Sequence, residues 1–534
     1  MTDSYKYKPS RPWWIIAGAH LKGSVLVSEN IGDDNIKVIS RMAENVYILN
    51  SESNSLLGKN VHAVDSNTVG EEFYDAIIFD LLDHEEKLMS SLREISSLLK
   101  NNGVLCFIQM NPYSIRNNSN SFITNLYGFI SKKRMGIIKS DFCKNEIDLI
   151  DSHPAVVYDG VVYESQLSRF YTSNKNSFLI KEKIKKYLYD FGLCSYISDS
   201  YIYMFGKESA KELTLMNQIV NEIKDHEEIT WRGKNLITTK AFYKTGKLLL
   251  SLTTRNKKPE YVVVFCLNEK SRLQRENEYA VLKELNDTEI LPGVLPRIFG
   301  PYSMNNIPYY VIEELEGLTV DEDNENLGFM TESSYQSLLA LSDQTLRSDF
   351  GVNKDVFHNK ILGYKLDIQR RMPIINARYD EFFNLLLKKL NFVSFPMVCM
   401  HGDYKLENLI LNVETNKVVG IIDWELGDLQ GFPLIDLFYL IIYDMHIKDE
   451  GDTFHLYSKL LSNNVSNEAK LFIADYNDKY AISDESYIFL RAIYFVHHFS
   501  KRDKFDVSEE KESLTYIETI GTLINQLSEI GINE

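Results

Sequence analysis

The chain has 534 residues, 44% of them hydrophobic and 25% charged. That balance excludes a disordered or fibrous polymer, and the length predicts two or three globular cores rather than one. The net charge of −17 is unevenly spread: residues 1–210 hold 23 Lys+Arg and 25 Asp+Glu, which leaves 35 of the 58 basic and 50 of the 75 acidic residues to the rest. Such a field repels phosphate backbones and anionic lipid, so nucleic acid is not an expected partner. It draws in a cationic small molecule, or simply keeps a surface soluble.

Taken in chain order, the N-terminus offers only the short apolar patch Trp13 to Ala19, too brief for a secretory h-region, so no leader is expected. From Gly23 the pattern reads strand (GSVLVSEN), helix (DDNIKVISRMAE), strand (NVYILN), with further strands at NVHAV, YDAIIFD and GVLCFIQM. Leu88, Leu92, Ile95, Leu98 and Leu99 recur at helical spacing, and Gly103 reads as the stop of a crossover helix. The alternation predicts a parallel sheet wrapped by helices. A helix at KEKIKKYLYDFG and a hairpin-like end, CSYISDSYIYMFGK, close the first domain near residue 208.

The order of YDAIIFDLLDHEEKLMSSLREISSLLKNNGVLCFI resembles the later motifs of class I S-adenosylmethionine-dependent methyltransferases, over about residues 12–208. The resemblance implies an α/β Rossmann-like fold for residues 1–208, with S-adenosylmethionine contacts at Gly32, Asn50 and Asp65. The pattern is eroded. The turn SENIGDDN has the single glycine Gly32, and Asn50 stands where the family holds ribose hydroxyls with a carboxylate. Asp65, in HAVDSN, falls where the family places an adenine-side acid, or is an ordinary loop carboxylate. An active methyltransferase and a degenerate binding domain both remain open.

Residues 209–230 read as a charged connecting helix, KESAKELTLMNQIVNEIKDHEE. Beyond Trp231 come strands (AFYKTGKLLLSLTT, EYVVVFCL), a helix (SRLQRENEYAVLKEL) and a strand (YYVIEEL). The stretch VCMHGDYKLENLILNVETNKVVGIIDWELGD follows. The strands Asn408 to Val413 and Val418 to Ile422 predict a hairpin through ETNK that returns Asp423 to the side of Asn408. Asp403, Asn408 and Asp423 are the oxygen donors that phosphoryl transfer needs, one to orient the attacking hydroxyl and others to hold Mg²⁺.

Here the sequence resembles the aminoglycoside phosphotransferase and choline kinase family, whose signature is H-G-D-x-x-x-x-N followed by I-D-W/F-E/D. The resemblance covers residues 231 to about 500. It implies an α+β, two-lobed protein-kinase-like fold, with residues 231–316 as N-lobe and 317–534 as C-lobe. By it, Asp403 is the catalytic base, Asn408 and Asp423 are magnesium ligands, and His401 and Asp436 are structural. Glu278 matches the helix glutamate that pairs with a strand lysine, and Glu313 to Leu315 match the hinge that holds the adenine of ATP. One departure stands out: EYVVVFCL has no lysine, with Val264 or Phe265 in its slot. Lys405 is the preferred substitute among Lys244, Lys247, Lys270 and Lys405, because any ammonium within reach can meet a phosphate.

Acidic residues in TVDEDNENLGF, with Asp444, Asp449, Glu450 and Asp452, read first as solvated loop charge and lean only secondarily toward an amine-bearing acceptor. Five scattered cysteines (Cys106, Cys143, Cys194, Cys266, Cys399) fit neither a disulfide ladder nor a zinc site, which points to a cytoplasmic protein. Asp436 and Asp444 interrupt PLIDLFYLIIYDMH, so no membrane span is expected. The expected function is ATP- and Mg²⁺-dependent phosphorylation of a hydroxyl on a sugar, amino sugar or amino alcohol. A scaffold that has lost catalysis, and a bifunctional methyltransferase-kinase acting on one glycan or metabolite, are the alternatives.

Overall fold

A computed structural model of the chain describes residues 21–28, 31, 33–49, 59–64, 74–80, 98–110, 148–157, 161–163, 200–206, 215–226, 228–229, 236–244, 246–254, 259–319, 327–347, 354–371, 377–412, 414–415, 417–449, 453–501 and 510–531. The chain divides into two compact units. The first is Met1–Glu276 with Ile298–Glu314, and the second is Asn277–Arg297 with Leu315–Glu534.

The first unit opens with β1 (Ser24–Ser28), α1 (Asp33–Met42), β2 (Asn45–Leu49), β3 (Val61–Val64), β4 (Tyr74–Asp80) and β5 (Leu99–Met110). The five strands are parallel, in the order β3-β2-β1-β4-β5. Strands buried on both faces need unbroken apolar runs, and Val25–Val27 and Ala76–Phe79 are each at most 1% exposed. Ile36 and Ile39, three apart on α1, are buried in the same core.

Gly103 corrects the sequence reading. It lies inside β5, not at a helix end, and Leu99 already pairs with Tyr74. The register then jumps from Tyr74↔Leu99 to Ala76↔Val104, and a Cβ on Gly103 would meet the Tyr74 carbonyl at 2.8 Å. Close backbone approach at a bulge, rather than a helix stop, accounts for this glycine. The expected crossover helix, and the helix at KEKIKKYLYDFG, lie outside the described residues.

Of the hairpin-like end, residues 194–199 and 207 lie outside the described residues, and 200–206 form one strand. Residues β6 (Asp148–Val157), β7 (Val161–Tyr163) and β8 (Ser200–Gly206) follow, and β8 runs antiparallel between β5 and β6, distant partners in sequence. After α2 (Leu215–Lys224) come β9 (Leu236–Lys244), β10 (Lys247–Thr254), β11 (Pro259–Cys266), α3 (Glu269–Asp287), β12 (Ile298–Met304) and β13 (Ile307–Glu313). β7 pairs with β9, so the sheet continues through β9-β10-β11-β13-β12 as antiparallel neighbours. Val263, Val264 and Phe265 of β11 are buried in it. The α2 face that carries Ile219 and Ile223 is buried, and Tyr309 on β13 donates its hydroxyl to Glu222 at 2.7 Å. At the start of α3, Asn268 accepts the Ser271 N–H at 2.8 Å, and the Ser271 hydroxyl accepts the Asn268 N–H at 3.3 Å. That reciprocal cap fixes where the helix begins.

The second unit comprises β14 (Leu318–Thr319), α4 (Leu327–Thr345), α5 (Lys354–Arg371), α6 (Ala377–Lys389), β15 (Val398–Met400), β16 (Leu409–Asn412), β17 (Lys417–Ile421), β18 (Asp428–Gly431) and α7 (Ile435–Asp449). It ends with α8 (Thr453–Leu461), α9 (Asn467–Lys479), α10 (Asp484–Lys501) and α11 (Glu510–Ser528). The strands form two small sheets, β14-β16-β17 and β15-β18, set among helices. Helix α10 is buried almost continuously from Phe489 to Phe499, and the stretch carries the buried polar residues Arg491 and His497 among its aromatic and aliphatic side chains. Each such Phe or Leu contributes about 1.5–3 kcal/mol by leaving water. Phe357, Phe395, Phe432 and Phe489 pack into one aromatic cluster that joins α5, α10 and the segment after β18. Among the described residues no helix is long and apolar enough to cross a membrane.

Candidate active site

The HGD segment leaves β15 and turns back under control of one carboxylate. Asp436, 5% exposed at the start of α7, accepts the backbone N–H of His401 at 2.6 Å and that of Gly402 at 2.8 Å. Gly402 sits at φ +80°, and a Cβ there would lie 2.5 Å from the Leu426 carbonyl oxygen, so only glycine fits. His401 is fully buried. Its Nδ1 accepts the Asp403 N–H at 3.3 Å, which leaves Nε2–H to donate to the Ile422 carbonyl at 2.9 Å. Burial lowers the His401 pKa despite the nearby Asp436 charge, so the ring is a neutral strut between the HGD and IDW segments.

Beyond Asp403 the loop alternates inward and outward. Tyr404 and Leu406 are fully buried, and the Tyr404 hydroxyl donates to the Ser334 carbonyl on α4 at 2.9 Å. Asp403 and Lys405 between them keep 30% and 28% of their side-chain surface. Asn408 ends a single 3₁₀ turn, Leu406–Asn408, and its Nδ2 donates to the Asp403 carbonyl at 2.9 Å and to Asp403 Oδ2 at 3.1 Å. With the nitrogen so committed, Oδ1 is the Asn408 atom left to meet a cation.

Leu409 pairs with Ile421 across the β16–β17 hairpin, and Ile422 donates its N–H to the Asn408 carbonyl at 2.9 Å. The next residue, Asp423, is exposed and left-handed, at φ 69° and ψ 55°. That conformation costs about 1–2 kcal/mol for a residue with a Cβ, and Asp tolerates it better than most. The hairpin therefore brings Asp403, Asn408 and Asp423 to one end of one small sheet.

The electrostatics follow from burial and charge. Burial raises the Asp403 pKa, the Asp423 charge adds to that, and Lys405 opposes both without cancelling them. Lys405 Nζ lies 3.3 Å from Asp403 Oδ2 and 3.1 Å from Glu407 Oε2. Burial alone would lower the Lys405 pKa, but those two carboxylates outweigh it and the ammonium ends above its ordinary value. Burial also lifts Asp436 to about 6.

Among the described residues no group of three or more His, Cys, Asp or Glu is placed to hold a metal. A cation held here would find one carboxylate, Asp423, and one amide oxygen, Asn408 Oδ1. Two protein oxygens suit Mg²⁺, which keeps several waters and takes the rest of its shell from phosphates. The residues present fit that ion.

Glu278, on the second-unit part of α3, is 2% exposed and accepts the backbone N–H of Trp424 at 3.1 Å. Its neighbour Asn277 had no signal in the sequence: it donates Nδ2 to the carbonyls of Glu425 at 3.1 Å and Gly427 at 2.9 Å, partners 148 and 150 residues away. Glu313 ends β13 in the first unit, and Leu315 opens the second, where its side chain packs on Gly420. Gly32, Asn50 and Asp65 lie outside the described residues, as do residues 320–326 and 450–452 of the proposed acceptor side. Asp444 is corrected: it is buried, accepting from the Thr331 hydroxyl at 2.7 Å and from Lys448 Nζ at 2.7 Å, and so is not presented to an acceptor.

Residues 250–457 match the profile of the phosphotransferase enzyme family, APH. Among curated proteins, mouse acyl-CoA dehydrogenase family member 11 is 33% identical over 64 residues, which are 12% of this chain and 8% of that one. The matched segment is thus a small fraction of that relative's length. Among solved structures, the ADP-bound aminoglycoside phosphotransferase APH(2'')-Ib is similar over 58% of this chain and 98% of its own, at TM-score 0.34 and 12% identity. A Plasmodium vivax ethanolamine kinase is similar over 57% and 94%, at TM-score 0.35 and 13% identity. The Streptomyces rimosus enzyme APH(3'')-Id, in complex with ADP and streptomycin, is similar over 47% and 89%, at TM-score 0.31 and 16% identity.

Proposed function

We propose that this chain is an ATP- and Mg²⁺-dependent kinase that phosphorylates a hydroxyl of a sugar, amino sugar or amino alcohol. The observation that carries the reading is the bonded pair Asp403–Asn408 with Asp423 returned beside it by the hairpin, inside the segment that matches the phosphotransferase profile. In the reaction Asp403 accepts the proton of the acceptor hydroxyl as the new O–P bond forms, and the γ-phosphorus parts from the bridging oxygen, which leaves as ADP. A base whose pKa burial has raised is better matched to that transfer near neutrality than an ordinary aspartate. Asn408 Oδ1 and Asp423 would hold Mg²⁺, which when bound draws charge from the β- and γ-phosphates. Lys405 supplies the cation that β11 lacks, and the Glu313 to Leu315 backbone takes adenine. Domains at 1–208, 231–316 and 317–534, joined through 209–230, and a cytoplasmic location belong to the same proposal; the buried thiols of Cys106, Cys266 and Cys399 are in keeping with it.

The test is product formation from ATP across aminoglycosides, choline, ethanolamine and monosaccharides. A phosphorylated product that disappears in Asp403→Ala supports the reading. A product formed at an unchanged rate by that variant removes Asp403 from the mechanism. The scaffold alternative is favoured by one feature, the buried Val264 and Phe265 in the slot of the family's lysine; it requires that no acceptor is phosphorylated.

For the first unit, the order β3-β2-β1-β4-β5 with antiparallel β8 is in keeping with a Rossmann-like methyltransferase fold. We propose S-adenosylmethionine as its ligand, the reading on which the chain is a bifunctional methyltransferase-kinase acting on one glycan or metabolite. Calorimetric titration of the full chain with this cofactor is the check, and absence of heat at high cofactor concentration rejects it.

A further inference from the structure

We propose that Asn277 and Glu278 are positioning residues that hold Asp423 in its left-handed conformation and so set the affinity of the Mg²⁺ site; the proposal rests on the phosphotransferase reading above. A residue with a Cβ seldom adopts that conformation unless its surroundings over-determine it. At Asp423, φ 69°, they do so from both sides.

On the N-terminal side, the Ile422 carbonyl receives His401 Nε2–H at 2.9 Å, and the Ile422 N–H goes to Asn408 at 2.9 Å. On the C-terminal side, Glu278 receives the Trp424 N–H at 3.1 Å, and Asn277 caps the Glu425 and Gly427 carbonyls at 3.1 and 2.9 Å. Trp424, fully buried, adds Nε1–H to the Ile421 carbonyl at 2.9 Å and stands edge-on to His401, with ring centroids 4.7 Å apart. Val281, one turn further along α3, packs on Gly427. Three residues of one helix face thus grip the turn that follows Asp423, while His401 and Asn408 grip the residue before it.

The hydrogen bond to Trp424 needs an acceptor oxygen on residue 278. Glutamine supplies that oxygen at the same reach; alanine does not. Asn277 needs the reverse, a donor, so aspartate there would set an acceptor against two carbonyls.

The experiment is a titration of the full-length protein with Mn²⁺ in the presence of ADP, followed by the electron paramagnetic resonance signal of free Mn²⁺. Beside it, the Mg²⁺ requirement and the acceptor KM for turnover are measured. Glu278→Ala, Asn277→Ala and Asn277→Asp are expected to weaken Mn²⁺ binding about tenfold, or about 1.4 kcal/mol, and to raise the Mg²⁺ requirement in parallel. The acceptor KM stays unchanged, and Glu278→Gln stays within about twofold of wild type. Asn277 is exposed, so its variants report even if Glu278→Ala does not fold. Mn²⁺ binding by the Asn277 variants equal to wild type, or a Glu278→Gln as weak as an alanine, overturns the proposal. A wild-type protein that binds no Mn²⁺·ADP overturns the phosphotransferase reading itself, and the proposal with it.

Discussion

Asp436 accepts the backbone N–H of His401 at 2.6 Å, tying the first turn of α7 to the residue two before the proposed base. Its other oxygen takes the Gly402 N–H at 2.8 Å. Asp436→Asn turns an amide NH₂ toward one of those donors and should cost about 2–4 kcal/mol of stability, read by urea unfolding. The pH dependence has a definite sign. Because burial raises the folded pKa to about 6 from 3.8, this group's contribution to stability is complete below pH 3.8 and is lost as pH rises through 6. The Asn variant should therefore show a flatter stability curve between about pH 4 and pH 6. An identical slope in both proteins contradicts the assignment.

Gly402→Ala meets two penalties, a left-handed φ of +80° and a backbone oxygen 2.5 Å from the new Cβ. Neither can be relieved by turning a side chain. A loss of about 2 kcal/mol or more is expected in equilibrium unfolding, together with loss of the proposed kinase activity. A variant as stable as wild type would show that the turn is not held as described.

Lys405→Met removes the cation 3.3 Å from Asp403. Lys405 lowers the Asp403 pKa against burial, so its loss should carry that pKa still higher. The acid limb of the kcat/KM profile then moves to higher pH, and the KM for ATP rises about tenfold if the ammonium also meets a phosphate. An acid limb that stays in place would exclude Lys405 as a modulator of the base.

Asp444 has a structural assignment to test. With Thr331 and Lys448 both bonded to it at 2.7 Å, Asp444→Asn should lower stability by about 1–2 kcal/mol and leave the acceptor KM unchanged. A KM that rises for amine-bearing acceptors alone would return Asp444 to the acceptor side.

Much of this was legible in the sequence because its signals are local. HGDYKLEN and IIDWE lie within one hairpin of each other, and their strands and turn are spelled by β-branched runs around ETNK. The parallel strands β1 and β4 were legible for the same reason: strands buried on both faces are written as unbroken apolar runs. What could not be read depends on partners far along the chain. Gly103 looks like a helix stop until Tyr74 is placed against it. β6, with Pro154 inside it, shows no pattern until β8 returns between it and β5. Glu278 and Asn277 sit in an ordinary charged helix, and only the fold brings Trp424, Glu425 and Gly427, some 150 residues on, within hydrogen-bond reach. Asp444 looks like one of several loop acids until Thr331 covers it.

The most direct measurement is the melting temperature of the full chain with ATP, with Mg²⁺, and with both, for wild type and for Asp423→Ala. A ligand that binds only the folded protein raises its melting point by mass action. Wild type should show a rise with both together that neither gives alone, and Asp423→Ala should lose the Mg²⁺-dependent part. A wild-type melting point unmoved by ATP and Mg²⁺ at millimolar levels would contradict a kinase site built on Asp403, Asn408 and Asp423.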